Sequence, residues 1–361
     1  MLVLSDNVVR EHAVTWRIIA ANERAFAALH AGTAIVPPRI VLEFANTEGA
    51  SLFKPGAFED EAVFGQKVIN VRPGNAARGM GTTPAVTMLF DKASGAPVCL
   101  LNATYLTALR TAAGSAVATA RVAPQDVRCL VIFGAGLQAE AHATTMCCVR
   151  DFDKVVIINR DQNRADALSA QLRERLVSMP RGPDAQTLGD NVPQISTISS
   201  EDTLAVEAAC RRANVICTTT GSPVPLFRGE WLQPGTHVNA VGSYLPANAE
   251  LDVTTISRCE RLIVDTDEAW DAGDLLNALS EGAVKKDLAV SLGALIASGV
   301  TPPATHAADS GLGPKGISVF KSVGSAIQDI ASALQVYADI KAMQASATGS
   351  AVSIAIQEVQ L

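Results

Sequence analysis

Charged residues are scarce in this 361-residue chain: Asp, Glu, Lys and Arg make up 18% of it, against 48% hydrophobic residues. That balance excludes a disordered polyelectrolyte and indicates a compact α/β protein, long enough for two domains with separate cores. Basic residues are the minority among the charges, 29 against 36 acidic, for a formal net charge of −7 and a pI near 5.3. Their shortage argues against nucleic acid or an anionic membrane as the main partner. No apolar run reaches the ~18 residues of a spanning helix. The start Met1-Leu2-Val3-Leu4-Ser5-Asp6 lacks the basic segment and long apolar stretch of a secretion signal, so a cytoplasmic location is expected. Metal-site patterns are missing too. Cys99, Cys129, Cys147, Cys148, Cys210, Cys217 and Cys259 form no C-x-x-C pair, and no histidine stands at metal-ligand spacing. No metal is expected, and the cysteines read as reduced, small apolar side chains. Adjacency makes a Cys147–Cys148 disulfide geometrically poor, although the pair can be redox-sensitive.

What is present changes character along the chain. An amphipathic helix pattern runs from Asn7 to Ala31, ends near Gly32, and Pro37-Pro38 then forces extended backbone. Arg39–Phe44, Ser51–Phe53, Phe64–Val71, Pro84–Phe90 and Ala96–Leu101 alternate as strands of an antiparallel sheet, with Asp91–Gly95 as a turn. An alanine-rich helix, Thr104–Val122, leads to a boundary at Pro124. Beyond it strands and helices alternate. Val127–Phe133, Val155–Asn159, Val215–Thr218, His237–Val241 and Arg261–Asp265 read as strands of a doubly wound parallel sheet. Helices are expected at Gln138–Arg150 and Arg164–Val177, a polar Pro/Gly stretch near Pro180–Pro193, and a loop at Thr301–Gly316. A final helix reaches about Ala342, and the tail from Gln344 is ambiguous.

The run Leu130–Phe133 followed by Gly134-Ala135-Gly136-Leu137-Gln138-Ala139 is a buried strand turning into a helix, the G-x-G-x-x-A arrangement that sets bare N–H groups beneath a dinucleotide pyrophosphate. Gly134 supplies the turn, Gly136 removes a Cβ that would block the phosphate, and Ala139 lets helix and strand pack closely. The strand that completes the βαβ unit ends in Asn159-Arg160, where an acid would take the ribose 2′-hydroxyl of NAD. Arg160 and Arg164 can instead neutralise a 2′-phosphate, which favours NADP(H). NAD(H) stays open because Asp161 follows and can take the ribose.

Several blocks then fall in one order: Val36-Pro37-Pro38-Arg39, Gly65-Gln66-Lys67, Leu106-Thr107-Ala108-Leu109-Arg110-Thr111-Ala112-Ala113, Gly134–Ala139, Glu230–His237, Val241-Gly242-Ser243, Glu250-Leu251-Asp252 and Phe320–Asp329. Together they resemble the ornithine cyclodeaminase/mu-crystallin family from Val36 to about Tyr337. The resemblance implies a homodimer in which residues 1–120 and 318–361 form a discontinuous α+β substrate and dimerisation domain, and 121–317 a Rossmann-type NAD(P) domain. It also implies hydride exchange between a nicotinamide and the α-carbon of a small amino or imino acid. It leaves the particular reaction open among cyclodeaminase, amino-acid dehydrogenase, ketimine reductase and a mu-crystallin-like ligand carrier.

Substrate carboxylate binding needs cations, and Arg39, Lys67 and Arg110 are the candidates. Lys67 can bind the carboxylate or, with a pKa lowered by burial, give a proton to the imine nitrogen. By the resemblance, Arg110 meets substrate carboxylate or cofactor, Thr111 the pyrophosphate, and Thr83 the substrate. Thr218, Thr219 and Thr220 close a strand at the ligand-binding edge of the sheet. Ala135, Leu137, Gln138, Val241, Gly242, Lys321 and Gly324 complete the expected cofactor contacts. Cyclodeaminases carry V-G-G-D where this chain reads Val241-Gly242-Ser243-Tyr244. The aspartate that would hold a distal ammonium is absent, and neutral Tyr244 can only donate a hydrogen bond or a proton. The expected reaction is therefore NADPH-dependent reduction of Δ1-pyrroline-2-carboxylate or Δ1-piperideine-2-carboxylate. A cyclodeaminase or dehydrogenase would need Asp252 or Glu59 to replace the missing acid.

Overall fold

The computed structural model describes residues 1–183, 191–302, 316–346 and the backbone of 357–358. Half of the expected Pro180–Pro193 stretch, most of the Thr301–Gly316 loop and most of the tail beyond Ser346 lie outside the described residues. The chain divides into two compact units, Met1–Arg110 with Ser325–Leu361, and Thr111–Gly324.

The first unit begins with strand β1 (Leu2–Leu4) and helices α1 (Asp6–His12) and α2 (Thr15–Ala31). The single helix expected over Asn7–Ala31 is thus two. Ala13 and Val14 turn extended between them, so that Val8 and Val9 of α1 and Ile18, Ala25 and Phe26 of α2 can all be buried. Gly32, at φ +73°, ends α2 in the left-handed conformation that glycine tolerates. Strands β2 (Ala34–Ile35), β3 (Ile40–Phe44), β4 (Thr47–Phe58), β5 (Val63–Val71), β6 (Ala85–Asp91) and β7 (Pro97–Asn102) follow. The sheet runs β1-β7-β6-β5-β4-β2 with β3 also on β4, antiparallel except for the β1–β7 pair. β4 is far longer than the expected Ser51–Phe53, because it pairs with β3 between Thr47 and Phe53, with β5 over Ala50–Gly56 and with β2 at Ala57 and Phe58. Helix α3 (Thr104–Val122) has the expected bounds and carries the chain from one unit to the other.

The second unit holds β8 (Cys129–Phe133), α4 (Leu137–Val149), β9 (Lys154–Asn159), α5 (Gln162–Ser178), β10 (Gln194–Ser199), α6 (Thr203–Arg212), β11 (Val215–Thr218), β12 (His237–Ala240), α7 (Val253–Ser257), β13 (Cys259–Val264), α8 (Gly273–Ser280), β14 (Ala289–Ser291), α9 (Leu292–Ala297) and β15 (Ile317–Lys321). Its strands are all parallel, in the order β10-β9-β8-β11-β12-β15-β13-β14. The order reverses between β8 and β11, which is where a doubly wound sheet opens a crevice at its carboxyl edge. Strands of this kind are covered on both faces, and Leu130, Val131, Ile132, Val155 and Ile157 are almost wholly buried.

The expected boundary at 317/318 is corrected by β15. Its five residues are all buried and pair with both β12 and β13, so Ile317–Lys321 belongs to the parallel sheet and the chain returns to the first unit only at Ser325. There α10 (Ala326–Ser346) packs on α2 and across β4 and β5, with Ile327 and Ala331 meeting Ala25 and Phe58. The backbone of β16 (Gln357–Glu358) pairs with β1.

Candidate functional site

In the second unit the nucleotide turn is built as the glycine spacing requires. Gly134 has φ +115°, and a Cβ there would lie 2.6 Å from Thr219 Oγ1, so both conformation and space demand glycine. Gly136 caps α4 with no side-chain hydrogen bond, and a Cβ there would meet nothing within 4 Å. The α4 N-terminus therefore has no side-chain cap and has room beside Gly136, as a pyrophosphate site needs. Ala139 is fully buried at the helix–strand contact, while Ala135, Leu137 and Gln138 are half-buried along the turn. Gln138 also accepts at its carbonyl from His142 Nδ1 (2.7 Å), which leaves His142 Nε2 to accept from Ser115 Oγ (3.0 Å). Burial holds His142 neutral, its pKa down to about 4.

Asn159 ends β9 with its amide on the Asp161 carbonyl (2.9 Å), and Arg160 and Arg164 are exposed beside it. The Asp161 carboxylate caps α5, accepting from Arg164 N at 3.2 Å. The turn thus fits a dinucleotide at the α4 N-terminus, and Asn159, Arg160 and Arg164 stand at the end of the next strand. Thr111 is buried in this unit.

At the neighbouring strand ends one buried carboxylate organises the backbone. Glu250 accepts from Thr218 Oγ1 (2.7 Å), Thr220 N and Oγ1 (2.6 Å each) and Gly242 N (2.9 Å). Thr219 Oγ1 donates to the Phe133 carbonyl at 2.7 Å. The three threonine hydroxyls are therefore held within the fold, and what they offer a ligand is a fixed backbone. Gly242 is required by contact, since a Cβ there would strike the Thr220 carbonyl. Val241, half-buried, donates its N–H to the Thr218 carbonyl at 3.2 Å. Lys321 has no exposed surface. Its ammonium lies 2.6 Å from Asp274 Oδ2 and donates to the Ser243 carbonyl, while Asp274 Oδ1 accepts from Glu250 N (2.6 Å) and Leu251 N (2.9 Å). Gly324, at φ +84°, gives its N–H to Asp265 Oδ2 at 2.6 Å. The structure thus places Lys321 and Gly324 as supports of the loops at this edge. Tyr244 is exposed on the loop that follows Ser243.

The first unit gathers the cations. Lys54 of β4 lies directly opposite Lys67 of β5, and Lys67 opposite Thr87 of β6, so the three share one face of the sheet. Continuing the β3–β4 register by one residue beyond Ile40–Phe53 sets half-buried Arg39 opposite Lys54. Two residues along the same face, Gly56 pairs with Gly65; a Cβ on Gly65 would lie 2.7 Å from Leu89 Cδ2 and 3.1 Å from Ile330 Cδ1. A Cβ on Gly56 would lie 3.2 Å from Ile330 Cγ1, so this glycine pair admits both β6 and α10, and α10 carries Asp329 to the cation row.

Asp329 Oδ1 accepts from Lys67 Nζ at 2.6 Å and lies 2.7 Å from Arg110 Nε, an ion-pair contact without hydrogen-bond alignment. Lys67 Nζ also donates to Thr107 Oγ1 (3.3 Å), and Arg110 Nη1 to Gln328 Oε1 (3.2 Å). Lys54 Nζ stands 3.9 Å from Asp329 Oδ2. Burial pushes the Asp329 carboxyl up, but Arg110, Lys67 and Lys54 together bring it down to about 2. Burial dominates at Lys67 and holds its ammonium well below the usual lysine range despite Asp329, the condition that a proton-donating role would require. Two fully buried acceptors, Asp329 Oδ2 and Thr87 Oγ1, have no hydrogen-bond partner on this face. Thr83 is exposed on the segment before β6.

Lys67 and Arg110 are thus brought together, with Arg39 in the same row by register. Lys54, Thr87, Thr107, Gln328 and Asp329 complete the cluster, and sequence reasoning had not assigned them. One signal was available. Lys54-x-Gly56 mirrors Gly65-x-Lys67 about the turn near Asp60, the pattern of a hairpin whose glycines admit a neighbour and whose lysines pair.

A Rossmann-type unit with an open pyrophosphate turn, joined to a unit with a buried cation cluster, defines a nicotinamide-dependent oxidoreductase. The chain belongs to the ornithine cyclodeaminase/mu-crystallin family, which it matches over residues 1–344. It is 33% identical over 340 residues to a Δ1-pyrroline-2-carboxylate reductase of Bacillus cereus, covering 93% of this chain and 96% of that protein. Among solved structures it resembles the Thermococcus litoralis Δ1-pyrroline-2-carboxylate reductase in complex with NADH and L-proline, with 28% identity, TM-score 0.82, and 95% and 98% of the two chains covered. It also resembles an archaeal alanine dehydrogenase dimer with bound NAD, with 26% identity, TM-score 0.79, and 95% and 97% covered.

Proposed function

We propose that this protein reduces a cyclic ketimine carboxylate, Δ1-pyrroline-2-carboxylate or Δ1-piperideine-2-carboxylate, to the cyclic amino acid with NADPH. The observation that carries the reading is the cluster on the first unit: buried Lys67 and Arg110 converge on Asp329 Oδ1, with Lys54 beside them on the same face. Convergent buried cations of this kind are what an α-carboxylate needs as charged hydrogen-bond donors. Lys67 and Arg110 hold that carboxylate, with Arg39 at the end of the row. When bound, the nicotinamide supplies the hydride, which adds to C2 of the protonated imine. Lys67, whose burial favours loss of its proton, exchanges the nitrogen proton directly or through a water.

The acids that a cyclodeaminase would need are engaged or displaced. Asp252 accepts from Gly229 N, Thr255 N and Thr255 Oγ1, and Glu59 is exposed. NADPH is favoured over NADH because Asp161 already caps α5, leaving Arg160 and Arg164 for a 2′-phosphate. A homodimer is supported by β3, where Ile40, Val41, Leu42 and Phe44 are 45–60% exposed, an apolar strand of the kind that a second copy covers.

The test is a panel of cyclic and linear imino acids with NADPH or NADH, alongside ornithine with NAD and a readout of ammonia. Turnover of a cyclic imine with NADPH is expected. Ammonia release from ornithine without imine reduction would overturn the proposal.

A further inference from the structure

We propose that Lys54 is a specificity-determining residue that excludes substrates carrying a distal ammonium group from the cation cluster. The inference rests on the placement of the substrate carboxylate at Lys67 and Arg110 given above. Lys54 sits on the same face as Lys67, buried, with its ammonium near the otherwise unpartnered Asp329 Oδ2. Without Lys54 that oxygen would be the natural acceptor for an ammonium group, because it is buried, ionised and short of hydrogen bonds. With Lys54 in place, an incoming ammonium meets a cation on the row before it meets the carboxylate.

The surroundings point the same way. Lys54, Lys67 and Arg110 all lie within reach of Asp329, so a distal ammonium on the substrate would add positive charge to a buried row that already carries three cationic side chains. At an effective dielectric near 20, unit charges about 10 Å apart still change affinity by about tenfold.

L-Norvaline and L-ornithine test this directly, because they share the α-amino acid and chain length and differ at the terminal methyl or ammonium. Binding of each to the full chain is measured by calorimetry at neutral pH in the presence of NADP. The wild type is expected to bind norvaline at least about tenfold more tightly than ornithine, Lys54→Met to reduce that ratio by about tenfold, and Lys54→Arg to keep it. Ornithine bound as tightly as norvaline by the wild type overturns the proposal even if no variant folds. An unchanged ratio in folded Lys54→Met overturns it too. Failure of imine reduction with the binding ratio and its loss in Lys54→Met intact would sink the proposed reaction and leave the role of Lys54 standing.

Discussion

The two units bury charge in opposite ways. In the parallel-sheet unit every buried carboxylate at the sheet edge is matched: Asp274 by Lys321 and two backbone N–H groups, Glu250 by four hydrogen bonds, Asp265 by Ser322 Oγ and the N–H groups of Val323 and Gly324. On the cation row of the antiparallel unit Lys54, Lys67 and Arg110 gather around one carboxylate, and Asp329 Oδ2 and Thr87 Oγ1 have no hydrogen bond. A satisfied network fixes one backbone geometry, whereas a partly satisfied one leaves polar atoms for an incoming group. The first fits a support for loops, the second the substrate site proposed above.

Removing Lys321 breaks the matched network most severely. Lys321→Ala leaves Asp274 buried and unpaired, and a loss of about 3–5 kcal/mol in urea unfolding is expected. Lys321→Met with Asp274→Leu should recover a large part of it, because the uncompensated charge is then gone. An unchanged unfolding midpoint in Lys321→Ala would mean the pair is not what holds the Ser243 loop.

Acid separates the units next. Burial lowers the pKa of His237 to about 3 and of His142 to about 4, both in the parallel-sheet unit. Each contributes stability that is full above pH 6.5, the unfolded value, and is lost as pH falls toward its folded value. The slope is about 1.4 kcal/mol per pH unit for each histidine between pH 6.5 and 4. Asp329, held near 2 in the antiparallel unit, contributes stability that is full above its ordinary value of 3.8 and is lost only below it. Unfolding measured from pH 7.5 to 4.5 should therefore report the histidines, and His237→Gln should flatten the dependence. A fall confined to pH below 4 would contradict this.

Legibility in the sequence followed the same division. The parallel-sheet unit announces itself locally: a glycine turn, a strand of Leu and Val, and Asn159 where an acid would stand are all read within 30 residues, and the structure sets each at the expected strand end. The cation cluster does not. Asp329 reaches Lys67 across 262 positions, through a helix seated on Gly65. Lys54 was hidden because β4 looked like a three-residue strand, and a lysine outside a strand reads as solvated. Lys321 and Thr218–Thr220 were assigned from sequence to the ligand; their side chains are held by Asp274, Glu250 and the Phe133 carbonyl, partners that sequence spacing could not reveal.

Lys67→Met sharpens the comparison in catalysis. If Lys67 exchanges the nitrogen proton, kcat should fall about a hundredfold with cofactor affinity retained, since the nucleotide turn lies in the other unit. Steady-state kinetics with direct NADPH titration separates the two. A rise in KM alone would make Lys67 a carboxylate ligand and assign the proton to a water.

The smallest expected effect falls on cofactor choice. Arg160 is exposed at the end of β9, and the adjoining carboxylate, Asp161, accepts from Arg164 N as the cap of α5. Arg160→Asp places a second acid at the strand end, where it repels a 2′-phosphate and can accept from a 2′-hydroxyl, while the cap stays intact. The ratio of kcat/KM for NADPH over NADH should fall by about tenfold, a modest figure because an exposed charge is screened by solvent and salt. Substrate KM should hold, because the cation row belongs to the other unit. A wild type that already prefers NADH would show that Asp161 serves both the helix and the ribose, and that the arginines only solvate the start of α5.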